Sequence, residues 1–275
     1  MLSFNLLVII CLVYVVFLFG VAALAERQAE KNKLSFLTSP VVYTLSISVY
    51  CTAWTFYGAV GFAARNGLEF LTIYLGPTLL FIGWWWLLRK LVRIGRTQRI
   101  TSIADLISSR YGKSNLLGVV VTLLAVIGST PYIALQLQSL TLSFSVFTAS
   151  SANAVSPAIT ALFMATGLSI FTIIFGTRNL DANEQHHGVV TAIAVEAVVK
   201  LIALLTLGVF VVWGISDGPA DAMKLISEKL PQNELYGSRW VTLIFLSATA
   251  IICLPRMFQV VVVENSAEKH LATAS

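Results

Sequence analysis

Charge is what this sequence is shortest of. Only 11% of its 275 residues are Asp, Glu, Lys or Arg, against 57% hydrophobic, where a soluble domain carries about 25% charged residues. With a mean hydropathy of +0.84, an ordinary soluble domain is excluded before any motif is read. Cysteine and histidine are nearly as scarce. Cys11, Cys51 and Cys253 all fall in apolar runs, which argues for packing residues rather than a disulfide framework. His186 and His187 share a polar loop with Asp181 and Glu184; a solvated loop explains them better than a tetrahedral metal site, whose ligands keep defined spacing. No GxGxxG, Walker loop, HExxH or CxxC is present, so nothing points to phosphoryl transfer or metal-assisted hydrolysis, and the chain is read as a non-enzyme without cofactor. The amino-terminal run does not read as a cleavable leader either. The run from Met1 to Gly20 has no positive charge before it and no A-x-A site after it, so it is read as a retained first span.

What the chain has in quantity is long apolar sequence. Seven segments stand out, at 4–24, 41–64, 69–92, 116–143, 157–176, 188–213 and 240–263, each near the ~20 residues that a helix needs to cross a bilayer. The chain therefore reads as an all-α polytopic membrane protein with the lipid bilayer as its first partner. A net charge of +5 would suggest nucleic acid in a soluble protein, but here the basic residues cluster beside spans, as topology signals do, and no nucleic-acid partner is inferred. Under alternating topology thirteen Lys and Arg lie on one side and four on the other, seven of the thirteen between Arg89 and Lys113. The richer side is read as cytoplasmic, which puts the amino terminus outside and the carboxyl terminus inside. In that cytoplasmic connection Ser102 and Asp105 have the spacing of a helix start, Ile103, Leu106 and Ile107 recur at helical spacing, and Tyr111-Gly112 closes the turn. Trp84, Trp85 and Trp86 read as an interfacial aromatic belt, and Asp217 to Gln232 as a short amphipathic helix outside.

Three places break the pattern of plain spans. Ser48 to Gly61, SVYCTAWTFYGAVG, carries Tyr50, Cys51, Thr52, Ala53, Trp54 and Tyr57, more polarity and flexibility than a helix dissolved in hydrocarbon tolerates. It is read either as a discontinuous helix lining a solute path or as a small-residue packing face. Glu196 and Lys200 stand i,i+4 in mid-segment, the favoured order for a helical ion pair. At that depth each charge alone is costly, so they must face protein or water, as a static packing pair or as a gate or proton-linked site. Pro255 removes a backbone donor inside the last segment, so the helix should break there, with Arg256 and Gln259 beside freed carbonyls. The Arg256 guanidinium either binds a substrate carboxylate or snorkels to the inner interface.

Several stretches also carry a family resemblance. YCTAWTFYGAVG followed by Gly67-Leu68-Glu69-Phe70, then TSIADLISSRYG, PYIALQLQSL, EAVVKL and LPRMFQVVVVEN together resemble the sodium/solute symporter family over essentially the whole chain. FGTRNLDANEQHH, EAVVKL and LPRMFQVVVVEN resemble more closely the symporter-like input module of bacterial sensor histidine kinases. The resemblance implies the amino-terminal part of a leucine-transporter-type inverted-repeat fold: an extra helix at 4–24, a first five-helix repeat at 41–213 and the first helix of a second repeat at 240–263. It also implies a bacterial inner membrane, a small polar organic solute such as an amino acid, and coupling to sodium or protons. For the kinase subgroup it implies carboxyl-terminal kinase domains and a response regulator. Proline-carrying symporters of the family have an acidic residue in the helix break; here Tyr50 occupies that position.

Overall fold

The computed structural model describes residues 4–31, 34–148, 156–171, 173, 187–229 and 237–275, and among them every regular element is helical. The first helix, α1 (Phe4–Glu30), is followed by α2 (Leu34–Leu37) and α3 (Pro40–Ser46), which tightens into a 3-10 turn at Ile47–Tyr50. A π-turn at Trp54–Gly58 leads into α4 (Ala59–Asn66), and a 3-10 turn at Gly67–Leu71 into α5 (Thr72–Ile82). The chain continues through α6 (Leu88–Gln98), α7 (Ile103–Arg110), α8 (Asn115–Thr148), α9 (Pro157–Phe171), α10 (His187–Phe210) with a π-turn to Ile215, and α11 (Pro219–Lys229). Last come α12 (Ser238–Cys253), α13 (Pro255–Phe258) with a π-turn at Gln259–Val263, and α14 (Lys269–Ala274).

The protein is an all-α, multi-pass membrane protein. Three stretches, 5–30, 115–147 and 187–215, are long and apolar enough to cross a bilayer alone, and two bent pairs pass the same test together. One bends by 62° between Pro40–Tyr50 and Trp54–Ile82, the other by 60° between Ser238–Cys253 and Pro255–Val263. The described residues thus hold three to five candidate spans. Segment 41–64 and most of 69–92 fall on the first bent pair, and the described part of segment 157–176 includes a shorter apolar helix, α9. The 69–92 run is not one helix: Gly83 closes α5 by donating to the Leu79 carbonyl at 3.0 Å, and turns at the three tryptophans follow. Past them α6 buries Leu88, Val92 and Gly95 and exposes Arg89, Lys90, Arg93 and Arg96, so it is amphipathic. Hydropathy summed along the run hides that change. Trp85 and Trp86 are exposed, while Trp84 packs against the core.

The α7 start is a reciprocal cap: Ser102 Oγ accepts the Asp105 amide at 3.1 Å, and Asp105 Oδ2 accepts the Thr101 amide at 3.1 Å. At its end Gly112 takes φ +70°, which a side chain resists.

The buried core gathers where α3, α6, α7, α13 and α14 converge, around Leu88, Val92, Met257, Phe258, Val261 and Leu271. Tyr43 Oη donates to the Val261 carbonyl there at 2.9 Å. At the same end Glu268 accepts from Arg89 Nε and Arg93 Nε, each at 3.0 Å. Hydrogen bonds from Arg93 and then Arg89 hold its carboxyl down to about 2. With the folded value below the ordinary one, any stability the clamp gives is complete above the ordinary range and lost as pH falls toward 2. At the opposite end of α5 and α12, Glu69 is only 8% exposed and is held by Arg239 and by Asn66 Nδ2. Between these clamps α5 and α12 pack closely. Ser247 Oγ donates to the Thr72 carbonyl at 2.8 Å, and Gly76 lies so near α12 that a Cβ there would clash with Ser247 Oγ.

Candidate functional site

The first break follows from polar side chains replacing helical hydrogen bonds. Cys51 is extended (φ −78°, ψ 111°), and the Thr55 amide turns back to the Thr52 carbonyl at 2.9 Å instead of reaching Cys51. Thr55 Oγ1 accepts the Thr52 amide at 3.2 Å, the local side-chain competition that lets threonine end a helix. Two other helices supply the remaining partners: Gln136 Oε1 of α8 accepts the Ala53 amide at 3.2 Å, and Lys200 Nζ of α10 donates to the Cys51 carbonyl at 2.9 Å. The second break is proline's. Leu254 is extended (φ −72°, ψ 124°), Pro255 has no N–H to continue α12, and the Leu254 carbonyl restarts the helix by accepting the Met257 and Phe258 amides.

One side chain touches both breaks. Tyr132, near the middle of the 34-residue α8, donates from Oη to Thr52 Oγ1 at 2.8 Å, and the Arg256 guanidinium lies over its ring, 4.4 Å from the centroid. Arg256 therefore turns inward to an aromatic face. Its Nε is buried with no hydrogen-bond partner among the described residues. The turn Ile47–Tyr50 packs against α13 directly, so the breaks adjoin. Lys200, near the middle of the stretch 187–215, pairs with Glu196 at 2.8 Å, with the two side chains 30% and 35% exposed. A cavity of about 290 Å³ opens beside them, lined by Cys51, Thr52, Ala53, Tyr57 and Lys200 among others. Tyr57 Oη accepts from Ser143 Oγ of α8 at 2.8 Å.

Of the remaining expected site residues, Tyr50 stays near Arg256 and Tyr132, whereas Trp54 and Gln259 turn back locally. Tyr50 Oη donates to the Ile73 carbonyl of α5 at 2.9 Å. The Trp54 ring folds back over Gly58 and meets Phe62 at 6.5 Å between centroids. Gln259 Nε2 donates to Glu264 Oε1 at 3.1 Å, within its own turn. Sequence reasoning passed over Tyr132, Gln136 and Ser143, although their spacing of four and then seven residues marks a polar stripe on an otherwise apolar helix. Of the histidine loop, Asp181, Glu184 and His186 lie outside the described residues, and among the described residues no group of three or more His, Cys, Asp or Glu is placed to hold a metal ion. A sodium ion fits the first break poorly. The Cys51 carbonyl it would bind already accepts from an ammonium, and a second cation there would be repelled.

Tyr132 can be tested directly. Tyr132→Phe keeps the ring under Arg256 but loses the Thr52 bond, a loss of about 1 kcal/mol. Tyr132→Leu loses both contacts, so its melting temperature in detergent is expected to fall further below wild type than that of Tyr132→Phe.

Two helices broken around a shared polar cluster at mid-span are the mark of a transporter-like membrane protein. The comparison with known proteins agrees at that level. The chain is similar to a Bacillus subtilis (strain 168) protein named uncharacterized symporter YhjB, at 26% identity over 191 residues, which are 69% of this chain and 36% of that protein. The match thus spans about a third of its curated relative's length. No family model matches the chain, and no solved structure does.

Proposed function

We propose that the chain is the amino-terminal part of a sodium/solute-symporter-like transporter of leucine-transporter type. It binds a small polar organic solute, such as an amino acid, where the two broken helices meet, and moves it by alternating access. The observation that carries the reading is Tyr132, which ties Thr52 of one break to Arg256 of the other. In this reading residues 41–213 are a first repeat and 240–263 open a second, in a bacterial inner membrane with the amino terminus outside and the carboxyl terminus in the cytoplasm. The Arg256 guanidinium meets a carboxylate or other acceptor on the solute.

Cys51 offers the test, because it lines the cavity and is a free thiol. In the full-length protein with Cys51 as its only cysteine, a bound solute is expected to slow N-ethylmaleimide, and a panel of amino acids, organic acids and polyols finds which one does. Arg256→Met should weaken that protection by roughly tenfold to a hundredfold, the worth of a charge-assisted hydrogen bond of about 1.5–3 kcal/mol. A panel in which nothing protects Cys51 removes the solute site.

A second reading makes the same module the input of a sensor histidine kinase, its solute biasing helix positions that downstream kinase domains and a response regulator relay. It is favoured by the stretches EAVVKL and LPRMFQVVVVEN. Proteoliposomes separate the two, since a sensor retains Cys51 protection yet carries no labelled solute across.

A further inference from the structure

In an unbroken helix the Cys51 carbonyl would accept the Thr55 amide, but that amide is bound to Thr52. A carbonyl freed at the break of a membrane helix, with a carboxylate nearby, is the kind of group that coordinates a monovalent cation. Here a cation already occupies the place, and it is covalently attached: Lys200 Nζ, 2.9 Å from the Cys51 oxygen and 2.8 Å from Glu196 Oε1. Nζ carries three donors, of which these two bonds use two, and the residue also lines the 290 Å³ cavity.

We propose that the Lys200 ammonium stands in for a coupling cation at the first break, so that the site works without sodium there. This rests on the reading of the breaks as a solute site. Glu196 and the Cys51 carbonyl hold the ammonium between them, and through it α10 holds the broken segment. Other titratable groups around the pair are few. Tyr14 of α1 lies near Glu196, Cys51 and Tyr57 share the cavity lining, Tyr50 ends the 3-10 turn packed on α10, and Glu26 of α1 sits at Gly188, the start of α10. None of these is a second cation, so among the groups named Lys200 alone supplies positive charge at this place.

The experiment uses the full-length protein with Cys51 as its only cysteine and reads the N-ethylmaleimide rate in sodium chloride against choline chloride at equal ionic strength. With Lys200 present, the two salts should give rates within twofold. In Lys200→Ala the vacated place, still flanked by Glu196 and the Cys51 carbonyl, should take sodium, which then slows the reaction at least fivefold. Slowing by sodium of that size with Lys200 in place overturns the proposal, and so does a folded Lys200→Ala variant indifferent to sodium. If the variant does not fold, the unsubstituted protein still decides. There a rate indifferent to sodium supports the proposal, and slowing of at least fivefold by sodium refutes it. Solute protection of Cys51 is scored in both salts. Its absence removes the solute site, whereas protection that requires sodium removes only the role given to Lys200.

Discussion

Gly76→Leu is expected to yield no monodisperse protein in detergent, and Gly76→Ala a protein whose melting temperature is clearly lowered. The reason is distance. A Cβ at Gly76 would run into Ser247 Oγ and lie 2.5 Å from the Ile244 carbonyl oxygen and 2.6 Å from the Ala248 amide nitrogen. Two of those three neighbours are backbone, so no side-chain rotation relieves the clash and α5 and α12 must separate. Ordinary overpacking costs about 1–3 kcal/mol, and for alanine here the upper part of that range applies. Separation also breaks the buried bond from Ser247 to the Thr72 carbonyl, leaving the hydroxyl only its own-helix acceptor, the Ile244 carbonyl at 2.9 Å. Gly128→Ala is the matched control, since nothing lies within 4 Å of a Cβ there. Size-exclusion profiles and thermal melts of the three variants decide the matter; Gly76→Leu behaving like Gly128→Ala would show that the two helices do not meet at this seam.

The second large effect concerns Glu196 and Lys200. Glu196→Gln alone leaves the ammonium at mid-span with only the Cys51 carbonyl to answer it, and breaking one side of a fully buried pair costs about 3–5 kcal/mol. With the side chains 30% and 35% exposed, the expected cost falls below that range. Glu196→Gln combined with Lys200→Met removes the stranded charge and should recover membrane yield and melting temperature. Recovery should be incomplete, because the Cys51 carbonyl then loses its donor. A double variant no better than the single one would mean that the two residues are not paired.

How much of this was legible in the sequence depended on the kind of signal. Pro255 announces its break wherever it stands, because a missing N–H and a fixed φ are properties of the residue itself. The Glu196 and Lys200 pairing was equally open, since i,i+4 spacing places both on one helical face. The first break was legible only as an excess of hydroxyls and glycines; which atoms satisfy it depends on Gln136 and Lys200, 83 and 149 residues along the chain. No local pattern specifies such a contact. Tyr132 was hidden for a similar reason, an ordinary aromatic in an apolar helix whose importance lies in what its two faces meet. The division of 69–92 was missed because tryptophan counts as apolar whether it continues a span or ends one. Trp54 and Gln259 were placed in the solute path by position alone, and their side chains turn back onto their own turns.

The seam between α5 and α12 also sets a timetable for biosynthesis. Thr72 and its partner Ser247 are 175 residues apart, and at about 5–20 residues per second translation takes roughly ten to thirty-five seconds to cover that interval. Throughout it α5 is already made while its close-packing groove, bare at Gly76, has no matching ridge. Either lipid, a temporary helix neighbour or the insertion machinery must cover that groove until Ser247 emerges. A ribosome pause between the two helices therefore lengthens the exposure of one particular glycine, and nascent chains stalled short of residue 247 should be the ones that an insertase or a membrane protease captures.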